Sequence, residues 1–240
     1  MKKTLITLLL LSASAQAMAA GPLTAEQEKR VQELVRETLI NQPDILAQAA
    51  EKLDQQNMLA GEEAMKKIIA QNGDFLFNDP NSPRIGAKNP KLTLVVFTDY
   101  NCPYCKKFDP YMEKIVKKYP DVAVVFKFLP YRAESSVTSA RDALMLWRSQ
   151  PQQFMAFNDI LMAKKGYHDD ASIEAAKKRA GVSISQPDAQ SMETLKSSLA
   201  VAEKLGIQGT PATIVGEQML SGWIPYEQFD AMVSDALKKR

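Results

Sequence analysis

The stretch LTLVVFTDYNCPYCKKFDP, residues 92–110, decides the fold. Leu92 to Tyr100 is an apolar, β-branched run of strand length, and from Pro103 to Tyr119 the apolar spacing becomes helical. Val122 to Leu129 is a second β-rich run, so the order is strand, helix, strand: a βαβ unit. Both cysteines of the chain, Cys102 and Cys105, stand in the turn between the first strand and the helix. Cys102 is then the expected N-cap and Pro103 the first helical residue, where a missing N–H costs nothing. The amides of Tyr104 and Cys105 are left free to donate to a Cys102 thiolate. A helix terminus supplies only about 0.3 to 1 kcal/mol, against about 1.4 kcal/mol per pKa unit, so those directed bonds and the charges of Lys106 and Lys107 are expected to supply the rest. Cys102 is the expected nucleophile. Cys105, a turn deeper, is the expected resolving thiol of a redox disulfide Cys102–Cys105, whose short loop stabilises little and is easily reduced.

Other sulfur chemistry is narrow. The chain has 240 residues, 45% hydrophobic and 24% charged, the balance of a folded protein, and two cysteines exclude a multi-bridge framework or a four-cysteine zinc site. A purely structural small-loop disulfide would restrain almost nothing. Two thiolates suit linear Cu(I), which stays open, although no resident cofactor or metal is expected. The single histidine, His168, lies in a polar loop and is expected to be solvated, and the methionines sit at apolar helical positions expected in the core.

Residues 1–20 carry Lys2 and Lys3, the apolar run Leu5 to Leu11 and small residues to Ala20, the pattern of a cleaved secretory signal peptide. Removing Lys2 and Lys3 leaves 28 basic residues against 28 acidic ones, so nucleic acid is not an expected partner. Residues 21–75 read as a helical region. Thr24 and Gln27 form a capping box ahead of Val31, Leu34, Val35 and Ile40, and Asn41 is the expected cap of a second helix bearing Ile45, Leu46 and Leu53, with Gly61 a candidate interruption and Asn72-Gly73 its end. Residues 76–90, dense in Pro, Gly, Asn and Ser from Asp79 to Pro90, read as a linker or edge segment. Within 91–240 the text is helical over about 133–205, including Pro187 to Leu205, then gives two short strands around Gly216-Glu217 and a closing helix from Pro225.

The strand Leu94 to Thr98, the motif Cys102-Pro103-Tyr104-Cys105 and the later Gly209-Thr210-Pro211 together resemble the DsbA-like thiol:disulfide oxidoreductases of the thioredoxin superfamily. The resemblance implies an α/β thioredoxin fold with an inserted helical domain, a cis Pro211 facing the cysteine pair, and a substrate-binding surface of Thr210, Pro211, Pro103 and Tyr104. Val31 to Gln56 resembles the N-terminal extension of the suppressor-of-copper-sensitivity C (ScsC) group, some members of which trimerise through it. Departures from the wider pattern are Tyr104, where DsbA oxidases carry histidine, and Val96, where many thioredoxins bury an acid. Thr210 before the proline is like the periplasmic isomerases.

These readings point to a periplasmic disulfide isomerase or reductase acting on unfolded or mis-oxidised proteins. A membrane reductase of the ScsB type, a homotrimeric state and a link to copper tolerance are implied by the resemblance. A DsbA-type dithiol oxidase and a Cu(I)-binding protein are the alternatives.

Overall fold

The computed structural model describes residues 23–184 and 188–239. The expected signal peptide at 1–20 and the expected helix start at Pro187 lie outside the described residues. The chain divides into two compact units, Met1–Met58 and Leu59–Arg240.

The first unit holds helix α1, Ala25–Asn41, and the opening turns of α2, Asp44–Gln71. Thr24 caps α1 through a full capping box, its hydroxyl accepting from the Gln27 amide and the Gln27 side chain accepting from the Thr24 amide. Asn41 is the last residue of α1 rather than the cap of the next helix. Pro43 enforces the break, because the residue before a proline is pushed out of the helical region. Helix α2 runs through Gly61 without interruption and stops before Asn72-Gly73. Val31, Leu34, Val35, Ile40, Ile45, Leu46, Leu53 and Met58 are all exposed, an apolar face with no partner among the described residues of the unit.

The second unit is built on a five-stranded sheet ordered β1-β3-β2-β4-β5, with β1 at Arg84–Gly86, β2 at Leu92–Thr98, β3 at Val122–Phe128, β4 at Ala212–Val215 and β5 at Gln218–Ser221. Only β2 and β3 run parallel; every other pairing is antiparallel. Period-2 alternation sorts β2 between two apolar layers: Leu92, Leu94 and Val96 join one, Val95 and Phe97 the other. The first layer is covered by α3 (Pro103–Phe108), α4 (Pro110–Lys118), α5 (Glu134–Ser149), α6 (Phe154–Ala163), α7 (Asp170–Ala180) and α9 (Tyr226–Lys238). The second holds Ile69 of α2, Leu76, and Val201 and Ala202 of α8 (Ala189–Lys204). Helices α5 to α8 are the insertion between β3 and β4.

Four further expectations change. The single helix from Pro103 to Tyr119 is two, because Pro110 lacks the N–H that would continue the ladder and opens α4 at its first position. The segment 76–90 is not a free tether. Its residues include β1, paired with β3, and Gly86 is obligatory there: at φ +90° a Cβ would lie 2.4 Å from the Val122 carbonyl oxygen. Ile69 and Leu76 are core residues beside Val95 and Phe97, so the compact unit begins at Leu59, inside the region expected to be a separate arm. His168, finally, is buried rather than solvated. Its Nε2 donates to the Leu161 carbonyl at 2.9 Å, its Nδ1 lies 3.3 Å from the Ser172 hydroxyl, and its amide donates to Asn101 Oδ1 at 2.7 Å.

Alternation also explains a fully buried lysine. Phe126 and Phe128 face one layer, so Lys127 faces the other, where its Nζ sits 3.2 Å from Asp79 Oδ2, 2.7 Å from the Ser82 hydroxyl and 3.5 Å above the Phe75 ring centroid. Burial pulls the lysine down to about 8 despite the carboxylate, while Asp79 stays below the usual carboxylate range. This pair fastens the segment before β1 to the sheet. Asp79→Ala strands the buried cation and is expected to cost about 3–5 kcal/mol in urea unfolding; Lys127→Met, which removes the charge and fills the space, is expected to cost much less.

A second buried polar cluster braces the α3–α4 break. The Tyr100 hydroxyl donates to Asn158 Oδ1 at 3.1 Å, and Asn158 Nδ2 donates to both Asp109 oxygens at 3.1 and 3.2 Å. Burial pushes Asp109 up to about 7. A carboxyl raised from about 3.9 stabilises the fold fully below its unfolded value and loses that contribution as pH rises through 7. Asp109→Asn is therefore expected to be more stable than the parent at pH 8 and no more stable at pH 4, read as urea midpoints.

Candidate active site

The site is assembled where the parallel strands β2 and β3 end together, with Thr98 paired to Phe128. The loops leaving those strands are joined by one carboxylate. Asp99 is buried, and its oxygens accept from the amides of Asn101 at 2.8 Å, Tyr131 at 2.9 Å and Arg132 at 3.1 Å and from the Ser136 hydroxyl at 2.7 Å. Asn101 extends the tie into the insertion: its Nδ2 donates to the hydroxyls of Ser135 and Ser136, each at 2.9 Å, and its Oδ1 receives the His168 amide. Between these two residues and α3 the backbone of Cys102 has no freedom, its amide donating to the Asp99 carbonyl at 3.0 Å and its carbonyl accepting from Lys106 at 3.1 Å.

Cys102 is the N-cap of α3 and Pro103 its first residue. The two sulfurs are free thiols, and both residues are buried, so Cys102 is less open than the sequence alone suggests. They differ in ionisation. Cys102 is lowered to about 5, first by the hydrogen bond from the Cys105 thiol, with smaller help from Thr210 and from the amides of Cys105 and Tyr104, all opposed by burial. The helix-start amides therefore rank behind the partner sulfur, a reversal of the order expected from the motif. Cys105 is pushed far up, by burial first and by the Cys102 sulfur second, and stays a thiol. One sulfur is the anion and the other its proton donor.

Across from the pair the Thr210–Pro211 peptide is cis. The Cys102 thiol donates to the Thr210 carbonyl at 3.1 Å. A carbonyl can serve only the protonated sulfur, so ionisation breaks this bond and leaves the carbonyl free. The Thr210 hydroxyl is buried without a hydrogen-bond partner and helps hold Cys102 down, so it is free to donate to the anion. Pro103 and Tyr104 are exposed on the rim, Pro211 is buried, and Lys107 Nζ stands 5.3 Å from the Tyr104 ring centroid. All six residues singled out from the sequence thus meet at one end of the sheet.

Sequence reasoning missed Thr98, whose side chain pulls Cys105 down against burial, and Arg132, raised chiefly by the charge of Cys102. Nothing in the spacing marks either one; only the parallel register brings them to the motif. Lys106, expected as a charge for the thiolate, is chiefly a clamp, its Nζ donating to the carbonyls of Lys164 at 2.6 Å and Gly166 at 2.7 Å.

A family model described as thioredoxin matches residues 78–235, nearly the whole second unit. The chain belongs to the thioredoxin family. Among solved thioredoxin-family structures, a periplasmic thioredoxin-like protein from Salmonella enterica serovar Typhimurium is 55% identical, with a TM-score of 0.68 over 69% of this chain and 95% of that one. A linker-deletion variant of ScsC from Proteus mirabilis is 45% identical over 92% of this chain and 99% of its own, with a TM-score of 0.73, so the likeness includes the N-terminal helices. A curated relative, disulfide bond formation protein D of Bacillus subtilis, is 22% identical over 186 residues, 70% of this chain and 84% of that protein. The chain is a DsbA-like, ScsC-like member of the thioredoxin family and a thiol:disulfide oxidoreductase. No helix among the described residues is long and apolar enough to cross a membrane.

The asymmetry of the thiols has a measurable signature. Alkylation of reduced protein by iodoacetamide is expected at Cys102 with a midpoint near pH 5, while Cys105 stays unmodified at neutral pH. A thiol lowered from about 8.5 stabilises the reduced fold fully above pH 8.5 and loses that contribution as pH falls through 5, so reduced and oxidised protein should converge in stability on acidification.

Proposed function

We propose that this chain is a periplasmic disulfide isomerase or reductase of exported proteins. The Cys102 thiolate attacks one sulfur of a client disulfide, a Cys102–client disulfide forms, and the other client sulfur leaves as a thiolate. Two exits follow. The released client thiolate attacks a different disulfide of the client and the chain of exchange returns the Cys102 thiolate, with no net redox change. Alternatively the Cys105 sulfur, having given up its proton, attacks Cys102 Sγ, closes Cys102–Cys105 and releases the client with two electrons gained. The second exit needs an external dithiol reductant, for which a membrane reductase of the ScsB type is the proposed partner. The substrate surface is Thr210, Pro211, Pro103 and Tyr104: a cis proline offers no N–H, and the Thr210 backbone is available to pair with an extended client segment.

The observation that carries isomerase over simple oxidase is the exposed apolar face of α1 and the start of α2. A face of that length is covered in a stable protein. We assign its cover to further copies of the same chain, a homotrimer, which sets several dithiols on one client and raises their effective concentration. Export by the segment 1–20 fits the periplasmic assignment.

The test is refolding of scrambled ribonuclease by full-length protein and by a Leu34→Glu, Leu53→Glu variant. The parent is expected to restore activity, and the variant to be monomeric and at least several-fold slower, with insulin reduction unchanged. An equally fast variant removes the arm from the function, and net oxidation of reduced ribonuclease without reshuffling replaces isomerase with oxidase. A truncation for the same purpose should end at Met58, since a cut at residue 70 removes Ile69 from the core.

A further inference from the structure

Three stretches of chain adjoin the turn that carries the buried Cys102, and each sets a tyrosine beside a cation. Helix α3 brings Tyr104, Lys106 and Lys107, with Lys107 Nζ 5.3 Å from the Tyr104 ring centroid. The exit of β3 brings Tyr131 and Arg132, whose amides donate to the Asp99 carboxylate at 2.9 and 3.1 Å. The loop between α6 and α7 brings Lys164, Lys165 and Tyr167. Lys106 Nζ clamps that loop to α3, donating to the Lys164 carbonyl at 2.6 Å and the Gly166 carbonyl at 2.7 Å, and the His168 amide holds its far end on Asn101 Oδ1 at 2.7 Å. Tyr104, Tyr131 and Tyr167 are exposed, as are Lys107, Arg132 and Lys165. The three stretches 103–107, 131–132 and 164–167 hold five cations and no carboxylate, although the chain beyond residue 20 is balanced at 28 basic and 28 acidic residues. The carboxylates that follow in sequence, Glu134, Asp169 and Asp170, line a separate cleft between α5 and α7 with Arg141 and Lys177.

We propose that this basic, tyrosine-bearing rim is a docking surface for acidic stretches of unfolded polypeptide, so that disulfides flanked by Asp and Glu are attacked in preference to those flanked by Lys and Arg. The proposal deepens the isomerase or reductase function and rests on Cys102 as the attacking thiolate. Cys102 is buried, so a client disulfide reaches it only with its flanking residues laid on the surrounding surface. Clustered cations there draw in a negatively charged segment and suppress a positive one, an effect on encounter rate more than on final affinity. They also offset the repulsion that a client carboxylate meets from the Cys102 anion. The tyrosines add contact that is tolerant of sequence, each ring apolar on its face and polar at its tip. An anionic lipid surface has the same charge, but it brings no disulfide to the sulfur at the centre of the rim, which favours a polypeptide as the occupant.

The experiment times the attack of full-length reduced protein on two disulfide-closed peptides that differ only beside each cysteine, with Glu in one and Lys in the other. Each rate is divided by that of the same peptide with dithiothreitol, which removes the peptides' own difference in reactivity. The parent is expected to prefer the Glu peptide about tenfold in about 0.01 M salt, and by about twofold or less in about 1 M salt, where the screening length falls from about 30 Å to about 3 Å. Lys165→Glu, at an exposed loop position, cuts the low-salt preference by about threefold or more, and Lys165→Arg keeps it. Equal rates for the two peptides with the parent at low salt overturn the proposal. So does a Lys107→Gln, Lys165→Glu protein that has the parental far-ultraviolet spectrum and the parental preference. Equal peptide rates together with sedimentation on phosphatidylglycerol vesicles that Lys165→Glu abolishes assign the rim to lipid and overturn it as well. Hydroxyethyl disulfide, small and uncharged, separates failure of the docking surface from failure of the thiolate. A parent that attacks it no faster than glutathione does loses the thiolate reading and the docking surface with it; a parent that attacks it readily without preferring the Glu peptide loses the docking surface alone.

Discussion

The active-site end of the molecule depends on a single buried carboxylate. Asp99 binds four donors drawn from three stretches of chain: the motif loop at Asn101, the exit of β3 at Tyr131 and Arg132, and the first turn of the insertion at Ser136. Each stretch is a loop or a helix start with amides that no ladder satisfies, and a charged acceptor is the strongest partner available to them. Cys102, Arg132 and α5 therefore share one anchor, and the helical insertion is fixed to the redox centre by the same atoms that shape the motif. Asn101 repeats the tie on the other side through Ser135, Ser136 and the His168 amide.

On that frame the two sulfurs take opposite roles from opposite environments. Cys105 lies a turn inside the helix, where burial holds it neutral, and a neutral thiol is a donor. Cys102 at the helix start receives that donor and becomes the anion. The motif thus sets its own polarity without the buried acid of many thioredoxins: Val96 occupies that place, packed in the apolar layer with Leu94. The Thr210 carbonyl bonds to the protonated sulfur only, so it is left free when Cys102 ionises.

Much of this was legible from residue order because the signals were local. The strand at 92–98, the break at Asn72-Gly73, the hairpin around Gly216-Glu217 and the Thr24 box each follow from period or turn chemistry within a few residues. Misreadings share a different cause. Lys127 and His168 are polar residues buried with partners as far as 48 and 67 positions away, and composition gives no notice of such partners. The Arg132 amide is tied to the motif loop through Asp99 because β2 and β3 run parallel and end together. The helix expected to continue to Tyr119 fails at Pro110, a signal present in the text but outweighed by apolar spacing on both sides of it. The turn residues of 76–90 signal a linker, and the strand within it is three residues long, too short for any periodicity to register.

That shortness matters outside the redox centre. The borders of the sheet are β1 with three residues and β5 with four, and the long, sticky strands β2 and β3 lie inside. Brief borders give a stray chain almost no template for cross-strand pairing. For the unfolded clients proposed above this is a gain: such a chain can dock at the cysteines without zipping onto the flank of the enzyme and seeding a fibril.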